Sequence, residues 1–182
     1  MTELALVRRA LRAVGTLDET ARDRLLPACG PGTVAAARVL AVLTSRYTLA
    51  PAALAAWRLG HVSGRRRVAT AGRAVVAALA VETVAATALK MMARRRRPPR
   101  PGRHVNDRSM PSGHTANVAA AATALAAAMD NDAVLATGML LAALTAVSRV
   151  VVNRHWASDG VAGLLLGYAC AKATAPFTVK GP

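Results

Sequence analysis

The sequence predicts an all-α fold, a polytopic integral membrane helical bundle of about five transmembrane helices with an amphipathic helix at its N-terminus. Two observations favour this fold. The chain of 182 residues is 54% hydrophobic yet carries a formal net charge of +15. Its apolar residues form long runs, and most of its arginines lie between them. Soluble domains rarely combine such hydrophobicity with so many cations, whereas a membrane protein separates apolar spans from basic loops.

The N-terminal segment, residues 1–32, is predicted to lie on the membrane surface. Residues 4–14 alternate apolar side chains with arginines at helical spacing, and this stretch is too charged to span a bilayer. An ordinary surface helix is the alternative interpretation. Residues 15–32 are expected to form a polar connection. The segment has neither a long apolar core nor a small-residue cleavage site, so we expect no signal peptide.

Residues 33–182 are predicted to form the transmembrane domain. Apolar stretches predict helices at 34–59, 69–92, 112–129, 133–152 and 158–176. The last three are close to the shortest length that crosses hydrocarbon, but they lack the polar stripe of a soluble surface helix. Their many alanines suit close helix packing in lipid. The first stretch contains Arg38, Arg46 and Pro51, so we expect a surface helix that leads into a kinked span.

Three short motifs in the second half of the chain carry most of the chemical information. They are Lys90-x6-Arg97-Pro98, Pro111-Ser112-Gly113-His114 and Ser148-Arg149-x5-His155-x3-Asp159. Together they supply three cations, two histidines and one carboxylate, which suit attack on a phosphate ester without a metal. If each of the last four predicted helices crosses the bilayer once, the loops that carry these motifs lie on one side. The motifs are therefore expected to converge at one membrane surface.

The first two motifs are expected to lie at helix ends. Lys90 and Arg97 are seven residues apart, which on a continuous helix is two turns along one face. Pro98 disfavours helical geometry at the residue before it, so Arg97 is expected at the helix exit. Ser112 is a natural helix-start residue, and the first turn that follows it offers backbone N–H groups to a phosphate, with Gly113 allowing close approach.

The third motif requires a helix to end within it. Arg149 and His155 would lie on different faces of an unbroken helix, so the helix must end near Val152 or Asn153 for both to reach one site. His155 and Asp159 are four residues apart, a spacing at which a carboxylate can orient an imidazole.

These motifs resemble those of the type 2 phosphatidic acid phosphatase superfamily, which includes membrane lipid phosphatases and soluble vanadium haloperoxidases. The defining positions match over residues 90–159, and residues 1–60 contribute nothing. The resemblance implies that His155 attacks phosphorus to form a phosphohistidine, that Asp159 holds its tautomer, and that His114 protonates the leaving group and then activates water. It also implies phosphate contacts from Lys90, Arg97, Ser112, Gly113 and Arg149. Neither a metal nor another cofactor is expected.

Other charged residues receive structural interpretations. Residues 94–96, all arginine, are expected to form a solvated face that flanks the membrane. Glu82 is interpreted as a structural partner of Arg38 or Arg46. Ser148, the least secure motif member, is expected to pack or bond locally.

The distribution of basic residues favours a cytoplasmic active site. With the three motif cations, Arg38 and Arg46 set aside, the active-site side carries twelve basic residues, Arg8, Arg9, Arg12, Arg22, Arg24, Arg94, Arg95, Arg96, Arg100, Arg103, Arg108 and Arg154. The opposite side carries seven, Arg58, Arg65, Arg66, Arg67, Arg73, Lys172 and Lys180. The positive-inside rule therefore points to the cytoplasmic face, although phosphate-binding arginines confound the count. The composition, rich in alanine and arginine, suggests a bacterial inner membrane.

The expected substrate is a lipid phosphate or diphosphate. The resemblance implies a polyprenyl diphosphate such as undecaprenyl diphosphate, a polyprenyl-phosphosugar phosphate, phosphatidylglycerophosphate or phosphatidic acid. A cytoplasmic site would suit polyprenyl-phosphoribose phosphate in cell-wall synthesis. The positive charge suits contact with anionic lipids of the bilayer. The sequence leaves open whether the chain forms homo-oligomers.

The sequence also bears on three other classes of protein. A nucleic-acid binder is disfavoured because aromatic residues for stacking make up only 3% of the chain. A non-catalytic basic membrane scaffold that binds anionic lipid stays an alternative. A haloperoxidase-like protein that binds vanadate is the other.

Overall fold

The computed structural model describes residues 3–100, 102 and 106–179. Within them the chain forms seven α-helices and no strand: α1 (Glu3–Ala28), α2 (Pro31–Leu43), α3 (Arg46–Val62), α4 (Arg66–Ala93), α5 (Gly113–Met129), α6 (Asp132–Val151) and α7 (Ala157–Thr178). The predicted all-α fold is confirmed. Arg103 and Lys180, which enter the basic-residue count, lie outside the described residues.

The last four helices match the predicted spans to within three residues at each end. The N-terminal third differs from the prediction. Residues 15–28 are helical, where a polar connection was expected, because α1 continues to Ala28. The stretch 34–59 divides into α2 and α3, since Thr44 caps α2 by donating its hydroxyl to the carbonyl of Leu40 at 2.7 Å.

Helices α4 and α6 are long and apolar enough to cross a membrane. A third span would exist if the helices at Ala5–Ala28 and Pro31–Leu43 count as one, although they meet at 119°. Five spans stay a prediction. The sharp bend sets α1 across the direction of α2.

Helix α5 lies at the centre of the bundle, where it contacts α3, α4, α6 and α7. Small side chains allow these close approaches, above all between α5 and α7. A Cβ atom added at Gly163 of α7 would lie 2.5 Å from the carbonyl oxygen of Ser112, and one at Gly167 would overlap the carbonyl oxygen of Ala116. The two backbones are therefore in contact, which fixes the start of α7 beside the start of α5.

The loop after α4 and the corner between α6 and α7 meet at one end of the bundle. The amide of Ser112 donates to the carbonyl of Asp159 at 2.9 Å. The carbonyl of Pro99 accepts from the side-chain amide of Asn153 at 2.9 Å. These contacts bring the three motifs together at one end of the bundle, and the position of this end at a membrane surface stays a prediction.

Candidate active site

The corner between α6 and α7 brings Arg149 and His155 together. Helix α6 ends at Val151, and Asn153 adopts a left-handed φ of 52° that turns the chain back. The carbonyl of Arg149 then accepts from the amides of Arg154 at 2.9 Å and His155 at 3.3 Å. The helix thus ends where the two side chains require it to end.

Asp159, in the first turn of α7, is fully buried and accepts four donors. Its Oδ2 accepts from the Ser109 hydroxyl, from the Trp156 amide at 2.9 Å, and faces Nδ1 of His155 at 3.4 Å. Its Oδ1 accepts from Nη1 of Arg95 at 2.8 Å. An ionised carboxylate has the lone pairs for all of these donors. The residue therefore caps α7 and also touches the imidazole.

The contact with Asp159 leaves Nε2 as the ring nitrogen of His155 that is available for chemistry. His155 is 3% exposed. Burial lowers its pKa below the ordinary value, against the opposing effect of Asp159, and the cations Arg97 and Arg149 lower it further. The imidazole is therefore neutral near pH 7, as a nucleophile must be.

Arg149 presents a buried donor that lacks an acceptor. The residue is 8% exposed, and its Nε has no hydrogen-bond partner among the described residues. Leaving a buried charged donor unpaired is costly, so the position favours an incoming anion. Arg149 lies in the last turn of α6, and its charge lowers the pKa of His155.

The end of α4 differs from the continuous helix that the spacing suggested. The helix stops at Ala93, and Arg94 adopts a left-handed φ of 44°. Arg97 therefore lies in the following loop. Its guanidinium is held by the side chain of Asn106 at 2.8 Å and by the carbonyls of Arg108 and Arg154, each at 3.2 Å.

A cavity of about 360 Å³ lies between α3, α4, the loop after α4 and the start of α5. Lys90, Arg97, Gly113 and His114 line it together with Asn117 of α5. A Cβ atom at Gly113 would lie only 3.3 Å from Nζ of Lys90, so glycine lets the ammonium approach the start of α5. The backbone N–H groups of that first turn have no acceptor within the helix, which makes this end of α5 suitable for an anion.

His114 and Ser112 lie at the same helix start. His114 interacts electrostatically with Arg149, His155 and Lys90, which places it among the groups of the site. Ser112 is fully buried, and its hydroxyl accepts from Thr115 at 3.1 Å. The structure therefore brings together all eight of the predicted site residues, namely His114, His155, Asp159, Lys90, Arg97, Ser112, Gly113 and Arg149.

Ser148 and Glu82 lie near the site and had been given structural interpretations. Ser148 donates to the carbonyl of Thr145 at 2.7 Å, a local bond as expected. Glu82 is buried, lines the cavity and interacts electrostatically with Lys90 and Arg46, but it forms no ion pair with Arg38 or Arg46 within 4.0 Å among the described residues.

The expectation that residues 94–96 form a solvated face is wrong for Arg95. Its guanidinium pairs with Asp159 and with Asp18 of α1, and its side chain is only 24% exposed. It also lies over the ring of Trp156, 5.8 Å from the centroid. Sequence reasoning also missed Ser109, whose buried hydroxyl binds Asp159. No local pattern separates Arg95 from the neighbouring arginines.

Positive charge dominates the site, and the arrangement suits a phosphoryl group. Three cations of the motifs lie around two histidines, so negative charge that spreads over phosphoryl oxygens would be stabilised. Across the described part of the chain, no three side chains of His, Cys, Asp or Glu come together in a group that could hold a metal ion.

Comparison with known proteins identifies the family. The family model of the PAP2 superfamily matches residues 71–181. The chain belongs to the PAP2 superfamily. It is a lipid phosphatase and thus a phosphoric ester hydrolase, acting on lipid phosphate in a membrane. No curated protein matches this PAP2 chain significantly.

Two solved structures resemble this PAP2 protein. LpxE of Aquifex aeolicus is 26% identical, with a TM-score of 0.68 over 87% of this chain and 93% of that one. A transmembrane PAP2-type phosphatidylglycerolphosphate phosphatase from Bacillus subtilis is 21% identical, with a TM-score of 0.74 over 91% of this chain and 86% of that one. Both alignments exceed the matched segment 71–181, so the structural likeness extends into the N-terminal helices, where no motif was seen.

Proposed function

We propose that this PAP2 protein hydrolyses a phosphomonoester or diphosphate of a polyprenyl lipid or glycerolipid through a phosphohistidine, without a metal. One observation carries the proposal: His155 turns Nδ1 toward a fully buried, multiply bonded Asp159, beside a guanidinium whose Nε has no acceptor among the described residues. This combination supplies an oriented neutral nucleophile and an N–H group that can donate a hydrogen bond to an anion.

The reaction proceeds in two displacements. Nε2 of His155 attacks phosphorus, the P–O bond to the lipid breaks, and His114 gives a proton to the departing oxygen. His114 then takes a proton from water as the water attacks the phosphohistidine. The P–N bond breaks and inorganic phosphate leaves. Asp159 stabilises the charge that develops on the imidazole during each step.

The phosphoryl oxygens are held by cations and by the start of α5. Lys90 and Arg97 approach from the end of α4 and its loop, and Arg149 approaches from α6. The Gly113 amide and the Ser112 hydroxyl complete the cradle. The three cations and the two neutral donors are in position before the reaction, so they stabilise the transition state without reorganisation of the protein.

An apolar groove beside the site supports a substrate with a long hydrocarbon chain. The groove has a volume of about 980 Å³ and is bounded by α2 to α6. It adjoins the catalytic cavity, because Thr44 and Val118 line the groove while their neighbours Ser45 and Asn117 line the cavity. Along α5 the groove extends from Val118 to Asp130, which is about 18 Å of helix. Polyprenyl-phosphoribose phosphate and undecaprenyl diphosphate both have this combination of a phosphate and a long chain.

The protein is further proposed to be a multi-pass protein of a bacterial inner membrane with its site at the cytoplasmic face. The excess of arginines at the end of the bundle that holds the site supports this orientation. Cysteine substitution at exposed Arg96, on the site's end, and at exposed Val62, at the end of α3, provides a test in intact cells. A membrane-impermeant thiol reagent should label position 62 and leave position 96 unlabelled.

Phosphate release by the detergent-purified protein tests the activity. Excess chelator would be present, with a panel of polyprenyl, glycerolipid and water-soluble phosphate esters. Release from a lipid that resists chelator and disappears in His155→Ala is the expected result. The control His61→Ala changes an exposed histidine in α3 and should match the wild type. Release that persists in His155→Ala, or that chelator abolishes, would contradict the proposal.

A further inference from the structure

Arg95 bridges two buried carboxylates that belong to distant parts of the chain. Its Nη1 lies 2.8 Å from Oδ1 of Asp159, and its Nη2 lies 2.5 Å from Oδ2 of Asp18. Asp18 is 3% exposed although it belongs to α1, most of whose side chains are exposed. The guanidinium therefore joins α1 to the carboxylate that faces His155.

Asp18 is also bound to the start of α7. Its Oδ1 accepts from the Ser158 amide at 2.8 Å, and its Oδ2 accepts from the Ser158 hydroxyl at 2.6 Å. That hydroxyl accepts in turn from Nη1 of Arg95 at 2.6 Å. A buried carboxylate is tolerated only where it is paired and hydrogen-bonded, so these contacts specify how α1 docks.

The contact from Arg95 holds the Asp159 carboxylate in the orientation that serves the histidine. Because Arg95 binds Oδ1, Oδ2 is the oxygen that faces His155. Rotation of the carboxylate out of this orientation would have to break the charge-assisted bond to Arg95, which is among the stronger hydrogen bonds in proteins. The same cation favours the ionised form of Asp159, which the orienting role requires.

We propose that Arg95 and Asp18 are a positioning pair that fixes the His155–Asp159 dyad, so that helix α1 takes part in organising the catalytic centre. The inference rests on the proposed function, and it assigns neither residue to contact with the substrate. Both terminal nitrogens of Arg95 bind carboxylates, so its guanidinium faces Asp159 and Asp18. Arg95 acts on the reaction through Asp159, and Asp18 acts through Arg95 and Ser158.

The test compares kcat and KM of the full-length protein in detergent for Arg95→Gln and Asp18→Asn. Matched controls are Arg96→Gln, an exposed neighbour in the same loop, and Asp23→Asn, an exposed aspartate of the same helix. Both test variants should lower kcat by about 10- to 100-fold with little change in KM, as loss of an orienting partner does at other sites. Arg95→Lys should recover part of the loss, and both controls should match the wild type.

A second measurement separates positioning from a general structural role. In the Asp159→Ala background, Arg95→Gln should slow single-turnover phosphate release by less than about twofold, because residues that act as one unit are not additive. Asp18→Asn is nearly isosteric and replaces Arg95→Gln in this experiment if Arg95→Gln fails to fold. Thermal unfolding of each variant is measured in parallel. An undiminished loss in the Asp159→Ala background would overturn the proposal, as would a loss confined to KM.

The outcomes for the two proposals are distinct. Release that depends on His155 but is unchanged in Arg95→Gln and Asp18→Asn would overturn the positioning pair alone. Wild-type release that does not depend on His155 would overturn the proposed function and the pair with it.

Discussion

The Nδ1 atom of His155 lies 3.4 Å from Oδ2 of Asp159, and the other carboxylate oxygen is held by Arg95. The distance is long for a hydrogen bond, as is common in catalytic pairs before the substrate binds. Asp159 is at the same time the first-turn carboxylate that caps α7. One side chain therefore joins the start of α7, the imidazole of His155 and the loop after α4.

Asp159→Asn should lower kcat by about 10²- to 10⁴-fold, because an amide cannot hold the imidazole in the attacking tautomer or stabilise its positive charge. Single-turnover phosphate release measures the change. The matched control is Asp132→Asn, an exposed first-turn aspartate of α6. A rate within twofold of the wild type would show that Asp159 only caps the helix.

Arg149→Lys tests whether the fork of the guanidinium is needed. Lysine keeps the positive charge, but its ammonium cannot supply the planar donors that match phosphoryl oxygens. We expect kcat to fall by about 10²-fold, the typical cost of one lost donor to the developing charge. Inhibition by vanadate should weaken in parallel. Arg66→Lys, at the opposite end of α4 and outside the groove, should leave both measurements unchanged.

The helices around the site and their convergence could be predicted from the sequence. The apolar runs of α4 to α7 are continuous, and Ser112 marks where helical geometry restarts, although α4 already ends at Ala93, before Pro98. The division between α2 and α3 could not, because the hydroxyl of Thr44 ends α2 without a glycine or proline. In the sequence, a threonine that ends a helix in this way looks the same as a polar residue inside a membrane span.

The positioning pair could not be predicted because its members are far apart in sequence. Asp18 and Arg95 are separated by 77 positions, and both lie in segments rich in charge. Arg95 turns inward, but in the sequence it lies within a run of arginines from which nothing distinguishes it. The placement of Arg95 follows from tertiary contacts, above all its ion pairs and the adjacent Trp156 ring.

The pH dependence should reflect the lowered pKa of His155. Burial, Arg97 and Arg149 lower it while Asp159 raises it, and the histidine attacks only when neutral. The acid limb of the kcat/KM profile assigned to His155 should therefore lie below pH 6.5, the ordinary histidine value. Arg97→Gln removes one of these cations, so the limb should move to higher pH even as the rate falls. Arg96→Gln should not move it, and an unmoved limb in Arg97→Gln would contradict the assignment.

Gly163→Ala should loosen the contact between α5 and α7. The added Cβ would lie 2.5 Å from the carbonyl oxygen of Ser112, so the helices must separate at the point where Asp159 meets the start of α5. Overpacking of this kind costs about 1–3 kcal/mol of unfolding free energy. Thermal unfolding in detergent measures the loss, and kcat should fall with it because the dyad moves relative to Gly113 and His114. Gly15→Ala is the matched control, since nothing lies within 4 Å of its added Cβ in α1 and alanine favours helix by about 0.5–1 kcal/mol. Equal unfolding temperatures for the two variants would refute the tight contact between α5 and α7.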